Sequence, residues 1–293
     1  MSYTRHVLAR CLGDSIAVTD FHCRACRHPP GAEESNDEPS IVFVRRGLFV
    51  RRQDGDTVVA DSSQLLFFNA AQPYRISHPL DGGDDCTILT ISPWLAEEVV
   101  ARHAPRNLDR AAALPFRNGR GLAQQPSWRM HYELLATVRG GTQLAIDELA
   151  LEIVDRIVEA GQSDARGFPS QTSRRVRART ARSHTAMAQA TMITINRDLA
   201  QPPGLTALAK QVGCSAYHLS RVFRAVTGSS MRAYLAAARA RAAADAISRG
   251  APGFTELALS LGYVDHSHFT NAFNREWHMS PSAFRALAIG KVS

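Results

Sequence analysis

Asp265-His266-Ser267-His268-Phe269-Thr270-Asn271-Ala272-Phe273 follows Gly262-Tyr263 and precedes Ser280-Pro281. Asp265 reads as an N-cap, because its carboxylate accepts from the free N–H groups that open a helix. Phe269 and Phe273 fall one turn apart and face inward. Ser267, His268, Asn271 and Arg275 are left on the outer side. A helix with a buried aromatic stripe and a short polar outer face suits a groove. Just upstream, Phe254 to Gly262 has helical spacing and a glycine where a helix ends. Helix, glycine turn, capped helix is the helix-turn-helix layout.

The same layout occurs earlier in the chain. Leu205 to Gly213 supplies a first helix, and Ser215 caps Ala216 to Arg224. Ala209, Gly213, Leu219 and Phe223 match Ala258, Gly262, Phe269 and Phe273, and the second copy has one extra residue in its turn. Single copies of this pattern are common in core helices; two in order, joined by a helix over Met231–Ser248, are specific. At 1.5 Å per residue that helix spans roughly 27 Å, which suits two probes about one DNA turn apart.

Charge divides along the same line. The chain of 293 residues has a net charge of +7, yet residues 170–293 hold 16 Lys+Arg against 5 Asp+Glu, and residues 1–169 hold 18 against 22. A basic half that coincides with the paired motifs is the footprint of a nucleic-acid partner. No apolar run is long enough to span a bilayer and the N-terminus lacks a signal-peptide core, so a cytoplasmic protein is expected. Five cysteines (Cys11, Cys23, Cys26, Cys86, Cys214) do not make a disulfide framework in a chain of this size.

Residues 1–92 read as short strands: Ser15–Cys26, Ile41–Arg52, Thr57–Ala60, Gln64–Asn69, Tyr74–His78 and Cys86–Ile91. Asp54-Gly55 signals a hairpin, and residues 28–39 lack periodicity. Ser92-Pro93 opens a helix, and Trp128–Val138 and Thr142–Ala160 follow, the second with an apolar stripe of Ile146, Leu149, Ile153 and Ile157. From Gly161 to about His184 the chain is polar and arginine-rich, which predicts a disordered or loosely helical linker. The fold class is therefore α+β and multidomain: an N-terminal β-barrel with helices over 1–162, an Arg-rich linker over 163–183, and an all-α domain with two helix-turn-helix motifs over 184–293.

Residues 184–287 resemble the AraC/XylS family of bacterial transcription regulators. The likeness rests on Ala209, Gly213, Ser215 and Leu219-Ser220-Arg221-Val222-Phe223, on Gly228, Tyr234 and Arg239, and on Leu257-Ala258 with Leu261-Gly262-Tyr263. Asp265 to Phe273, Ser280-Pro281 and Phe284-Arg285 extend it. Ser230 and His278 stand where that family often has Pro and Gly, both at helix edges. The N-terminal half resembles the family's cupin-like effector and dimerisation domain through its strand order, Arg46-Gly47, Phe67-Phe68-Asn69 and Tyr74 to Pro79. The resemblance implies double-stranded DNA as partner, a homodimer, a small-molecule effector and, for an activator, RNA polymerase. It places DNA contacts at Tyr217, Ser220 and Arg221 in one probe helix and Ser267, His268 and Asn271 in the other. Arg224 and Arg275 are placed for phosphates.

Other clusters carry alternatives. Tyr74, Arg75 and His78 are candidate effector-binding residues in the barrel mouth. Cys23-Arg24-Ala25-Cys26 invites a zinc or redox reading, but residues three apart on a strand point to opposite faces. Cys23, His78 and Cys86 from three strands are a geometrically possible zinc set; the competing reading, which is the expectation, is buried structural cysteines and no cofactor. His22, His28, Glu33 and Glu34 do not have the spacing of a metal cupin. No general acid/base pair, nucleophile elbow or complete metal triad is present, so no enzyme is expected. The alternative function is a cupin-type enzyme, or a metal or redox sensor barrel, fused to a DNA-binding domain.

Overall fold

The computed structural model describes residues 2–103, 115–116, 118–122, 125–164, 175–251 and 253–289, and among them nine strands and ten helices. The strands are β1 (Ser2–Cys11), β2 (Ile16–Arg24), β3 (Ser40–Gly47), β4 (Phe49–Gln53), β5 (Asp56–Ala60), β6 (Gln64–Phe68), β7 (Arg75–Ser77), β8 (Asp84–Ile91) and β9 (Arg120–Leu122). They form a six-stranded sheet, β1-β2-β8-β3-β6-β9, and a three-stranded sheet, β5-β4-β7, with antiparallel pairing throughout. The hairpin expected at Asp54-Gly55 joins β4 to β5, with both residues at positive φ (50° and 76°) as a primed turn requires.

The central strand β3 explains the layering. Strand side chains alternate between faces. Val42 and Val44 join Phe49, Val58, Leu66 and Phe68 between the two sheets. Ile41 and Phe43 point the other way, into a core with Leu65, Leu89, Ile91 and the helices α1 (Pro93–His103), α2 (Gln125–Gly140) and α3 (Gln143–Asp164). Both faces are apolar because both are covered. The stripe Ile146, Ile153 and Ile157 of α3 is buried there, and Asp147 Oδ1 accepts from Leu12 N at 2.9 Å, so this helix packs on the sheet.

The C-terminal part is helical: α4 (Arg175–Arg197), α5 (Leu205–Gln211), α6 (Ala216–Thr227), α7 (Met231–Ser248), α8 (Phe254–Ser260), α9 (His266–Trp277) and α10 (Pro281–Ile289). Within the stretch expected as a disordered or loosely helical linker, the chain is helix from Arg175 onward, because arginine and alanine are strong helix formers even without an apolar stripe; residues 165–174 lie outside the described residues. The strands β1 and β9 were not anticipated.

The two parts share their cores. One apolar cluster joins Leu48, Val50 and Val59 of the small sheet's side to Met192, Leu208, Leu219, Phe223 and Tyr234 of the first motif. Another runs from the six-stranded sheet through Trp128 and Tyr132 to Phe273, Trp277 and Phe284 of the second. Helix α7 lies between them and is buried on several sides, at Tyr234, Ala238, Ala240, Ala244, Asp245 and Ile247.

The two motif turns differ in one respect that is testable. Gly213 and Gly262 both sit at positive φ (70° and 77°). A Cβ at Gly213 meets nothing within 4 Å, whereas at Gly262 it would lie 2.3 Å from Ala200 O and 2.7 Å from Arg239 Nη2. Gly213→Ala should therefore lose about 1–2 kcal/mol from the left-handed backbone alone. Gly262→Ala should lose clearly more, as read from urea unfolding of the two variants side by side.

Candidate nucleic-acid interface

Each probe helix is set by a cap on one side and an aromatic on the other. In the first motif Ser215 Oγ accepts from His218 N at 3.2 Å, and Leu219, Val222 and Phe223 are buried. Gly228, at φ 76°, ends α6 by donating its N–H to Arg224 O. This leaves Tyr217, Ser220, Arg221 and Arg224 exposed on one side, Tyr217 at 72%. Arg221 is braced: its Nη1 donates to Tyr217 Oη at 3.3 Å, and its guanidinium carbon is 5.7 Å from the Tyr217 ring centre. His218 instead meets the His184 ring edge-on at 5.4 Å and serves packing.

In the second motif Asp265 Oδ1 accepts from His268 N at 2.7 Å, and Phe269 and Phe273 are fully buried. Ser267, His268, Asn271 and Arg275 are exposed, all four as the motif predicts. The His268 ring is drawn back toward the turn, edge-on to Tyr263 at 5.4 Å, with Nδ1 accepting from Val264 N at 3.5 Å. His278 ends α9 in the left-handed conformation at φ 54°, where glycine is usual.

The electrostatics of the two motifs are unequal. No Asp or Glu occurs from residue 199 to residue 244, a span that holds Lys210, Arg221, Arg224 and Arg232, all exposed. Arg239 and Arg241 in the same span are structural: Arg239 donates to Leu199 O and Ala200 O, and Arg241 to Ser62 O. Around the second motif Glu256, Asp265 and Glu276 dilute the positive charge of Arg275. Arg232 was not singled out in the sequence; its place one residue into α7, beside the first probe helix in chain order, is the signal available.

Between the sheets lies a cavity of about 650 Å³, with Tyr3, Arg5, Phe68, Tyr74 and Ile76 among its lining. Tyr74 donates to Asn36 Oδ1 at 2.9 Å, and burial, with Glu34 nearby, pushes its phenol up to about 12. His78 also lines the cavity. Arg75 does not: its side chain is exposed and 3.7 Å from Glu33, because β7 alternates and Tyr74 and Ile76 take the inner positions. Cys23 and Cys86 are buried in the cavity wall with Asp84, while Cys26 is exposed. Burial, with Asp84 beside it, pushes the Cys23 thiol up to about 11, and the same causes push Cys86 up. Among the described residues no helix is long and apolar enough to cross a membrane.

A family model described as a helix-turn-helix domain matches residues 208–287. Regulatory protein SoxS of Salmonella typhimurium is 31% identical over 103 residues, which is 35% of this chain and 96% of SoxS. Transcriptional regulator Rob of the same organism is 32% identical over 94 residues, 32% of each chain. A solved structure of apo ToxT from Vibrio cholerae aligns over 94% of this chain and 98% of its own, with a TM-score of 0.39 and 12% identity. The paired, capped probe helices and the match spanning nearly all of SoxS converge on one assignment: the chain belongs to the AraC family of DNA-binding transcription regulators.

Proposed function

We propose that this regulator reads its operator with α6 and α9 in successive major grooves, and that its N-terminal half gates that reading. The observation that carries the proposal is the pair of exposed polar faces, each fixed by a side-chain cap and buried aromatics, in a basic half of the chain. Arg221, oriented by Tyr217, pairs bidentately with guanine, and Asn271 with adenine; Tyr217, Ser220, Ser267 and His268 add shorter contacts. Arg224 and Arg275 hold phosphates. Residues 1–162 bind a small effector in the inter-sheet cavity, with Tyr74 and His78 facing it, and provide the homodimer contact. Residues 184–293 form the DNA-binding domain. The reading includes action in the cytoplasm, activation through RNA polymerase, and no catalytic turnover. The family assignment and the absence of a catalytic constellation in the sequence support it.

The test is binding of full-length variants to a randomised-site library at fixed salt. Arg221→Ala should lose about 1–3 kcal/mol on the preferred site and relax preference at one base position. Arg224→Ala should weaken preferred and random DNA by similar factors and lower the salt slope by about one unit. Asn271→Ala should change preference about one helical turn away from the Arg221 position. An equal, uniform loss for Arg221→Ala and Arg224→Ala would remove Arg221 from base readout. An unchanged profile for Asn271→Ala would leave the first motif as the reader, the outcome toward which the weaker charge of the second motif points.

A further inference from the structure

Four side chains that DNA reading does not use converge from the two sheets. Cys23 of β2 is paired with Asp84 of β8 across the ladder, so the two side chains share a face; Cys86, two residues on, shares it too. His78 follows β7, in the opposite sheet. The ligand atoms of Cys23, His78 and Asp84 all lie within 4.8 Å of one another. His78 Nε2 is 2.6 Å from Asp84 Oδ1, and Cys86 Sγ is 3.0 Å from Asp84 Oδ2. All four residues are 3% exposed or less, yet they border the cavity, which gives an ion a route in.

A chain of contacts behind His78 fixes the orientation of its ring. Pro29 O only accepts, so His28 Nδ1, at 2.5 Å, donates to it. His28 Nε2 lies 2.9 Å from His78 Nδ1, so the outer histidine holds the inner ring in place. The other ring nitrogen of His78, Nε2, is turned to a carboxylate oxygen, 2.6 Å from Asp84 Oδ1. A histidine held at one nitrogen by an outer partner, with the other turned to a carboxylate beside the Cys23 thiol, is the usual form of a metal ligand. Cys23, His78 and Asp84, with Cys86 Sγ 3.0 Å from Asp84 Oδ2 as a fourth donor on the same face, are a sulfur-containing set that favours zinc over the oxygen-seeking divalent ions.

We propose that Cys23, His78, Asp84 and Cys86 bind one zinc ion, with His28 orienting His78. This reverses the expectation from sequence, and what reverses it is Asp84, which the sequence reading left out. The site stands independently of the DNA-reading proposal, because its test uses no DNA. The full-length chain, stripped with a chelator, is titrated with cobalt(II) alone. One equivalent should give visible bands of tetrahedral cobalt and a thiolate charge-transfer band in the near ultraviolet, both abolished by one equivalent of zinc. Cys23→Ser and Cys86→Ser should each lower the charge-transfer intensity and weaken binding at least about tenfold, and Cys26→Ser should match the parent chain. His28→Ala, a change at a half-buried outer residue, keeps the test open if the buried substitutions prevent folding; it should weaken cobalt binding about tenfold. A folded parent chain without cobalt bands would overturn the site. So would bands that survive Cys23→Ser and Cys86→Ser, or bands lost in Cys26→Ser.

Discussion

Trp277→Ala is expected to lower the stability of the whole chain by about 3–5 kcal/mol, the range for deleting a buried aromatic. Trp277 is 1% exposed and its Nε1 donates to Ala240 O at 3.1 Å. Its ring packs 5.9 Å from Phe273, 4.9 Å from Phe284 and 5.7 Å from Tyr132. Tyr132 lies on α2, whose Trp128 meets Phe43 of the six-stranded sheet at 5.3 Å. The ring chain therefore crosses from the second DNA-reading motif to the sheet, reinforced by Gln125 and Arg139 donating to Trp277 O and Ala288 O. The loss should appear as one thermal transition displaced by about 10 °C, with the N-terminal and C-terminal parts melting together. Two transitions, of which only the later part of the chain moves, would show that the shared core does not couple them.

That shared core is also the part of the architecture least legible in the sequence. Local signals were strong wherever a short-range rule governs. Ser215, Ser230 and Asp265 all cap as their side chains demand, and Asp54-Gly55 turns the hairpin its backbone allows. The strand β1 escaped because it is an edge: Tyr3, Val7 and Leu8 are exposed and charged residues interleave them, so no alternation marks it. β9, three residues long, carries no pattern at all. The start of α4 was legible only as one of two alternatives, because it is helical by propensity and not by an apolar stripe. At the recognition helices sequence and structure agree residue for residue on exposure, since helical spacing alone sets it. In the cavity they agree less. His78, Cys23 and Cys86 come together, but Arg75 turns outward, and Asp84, which opens β8, precedes the strand expected at Cys86–Ile91. Long-range pairing of strands, which brings Asp84 opposite Cys23, leaves no mark in local spacing.

The same strand connects the cavity to the DNA-reading helices, and this supplies the second large effect. Asp84 and Cys86 face the cavity; Asp85, between them, faces outward to Arg24 and Arg46, and Arg249 at the end of α7 comes within 3.8 Å. Arg45 donates to Cys86 O at 3.2 Å and pairs with Asp20, and its Nη1 is 4.0 Å from Asp245 of α7. Arg249 Nη2 also approaches Asp245, at 2.7 Å. Asp245 is 1% exposed, so two arginines share the neutralisation of one buried carboxylate. Arg249, nearly half exposed, should be worth only about 1 kcal/mol alone, because solvent screens it and Arg45 remains. Arg45→Ala should lose about 2–3 kcal/mol, since a buried partner of Asp20 and of a carbonyl goes as well. The double variant should lose more than the sum, approaching the further 3–5 kcal/mol of an uncompensated buried charge. Adding Asp245→Leu should recover part of it. Proton linkage gives an independent readout. Burial holds the Asp245 carboxyl above its ordinary range, opposed by Arg249 and Arg45. The folded state then binds the proton more tightly, so stability falls as pH rises from the unfolded to the folded pKa. Removing both arginines enlarges the shift, and the double variant should regain stability from neutral to mildly acidic pH more than the parent chain does. Urea midpoints at the two pH values decide it: simple additivity with no extra pH dependence would mean that Asp245 is neutralised by something other than this pair.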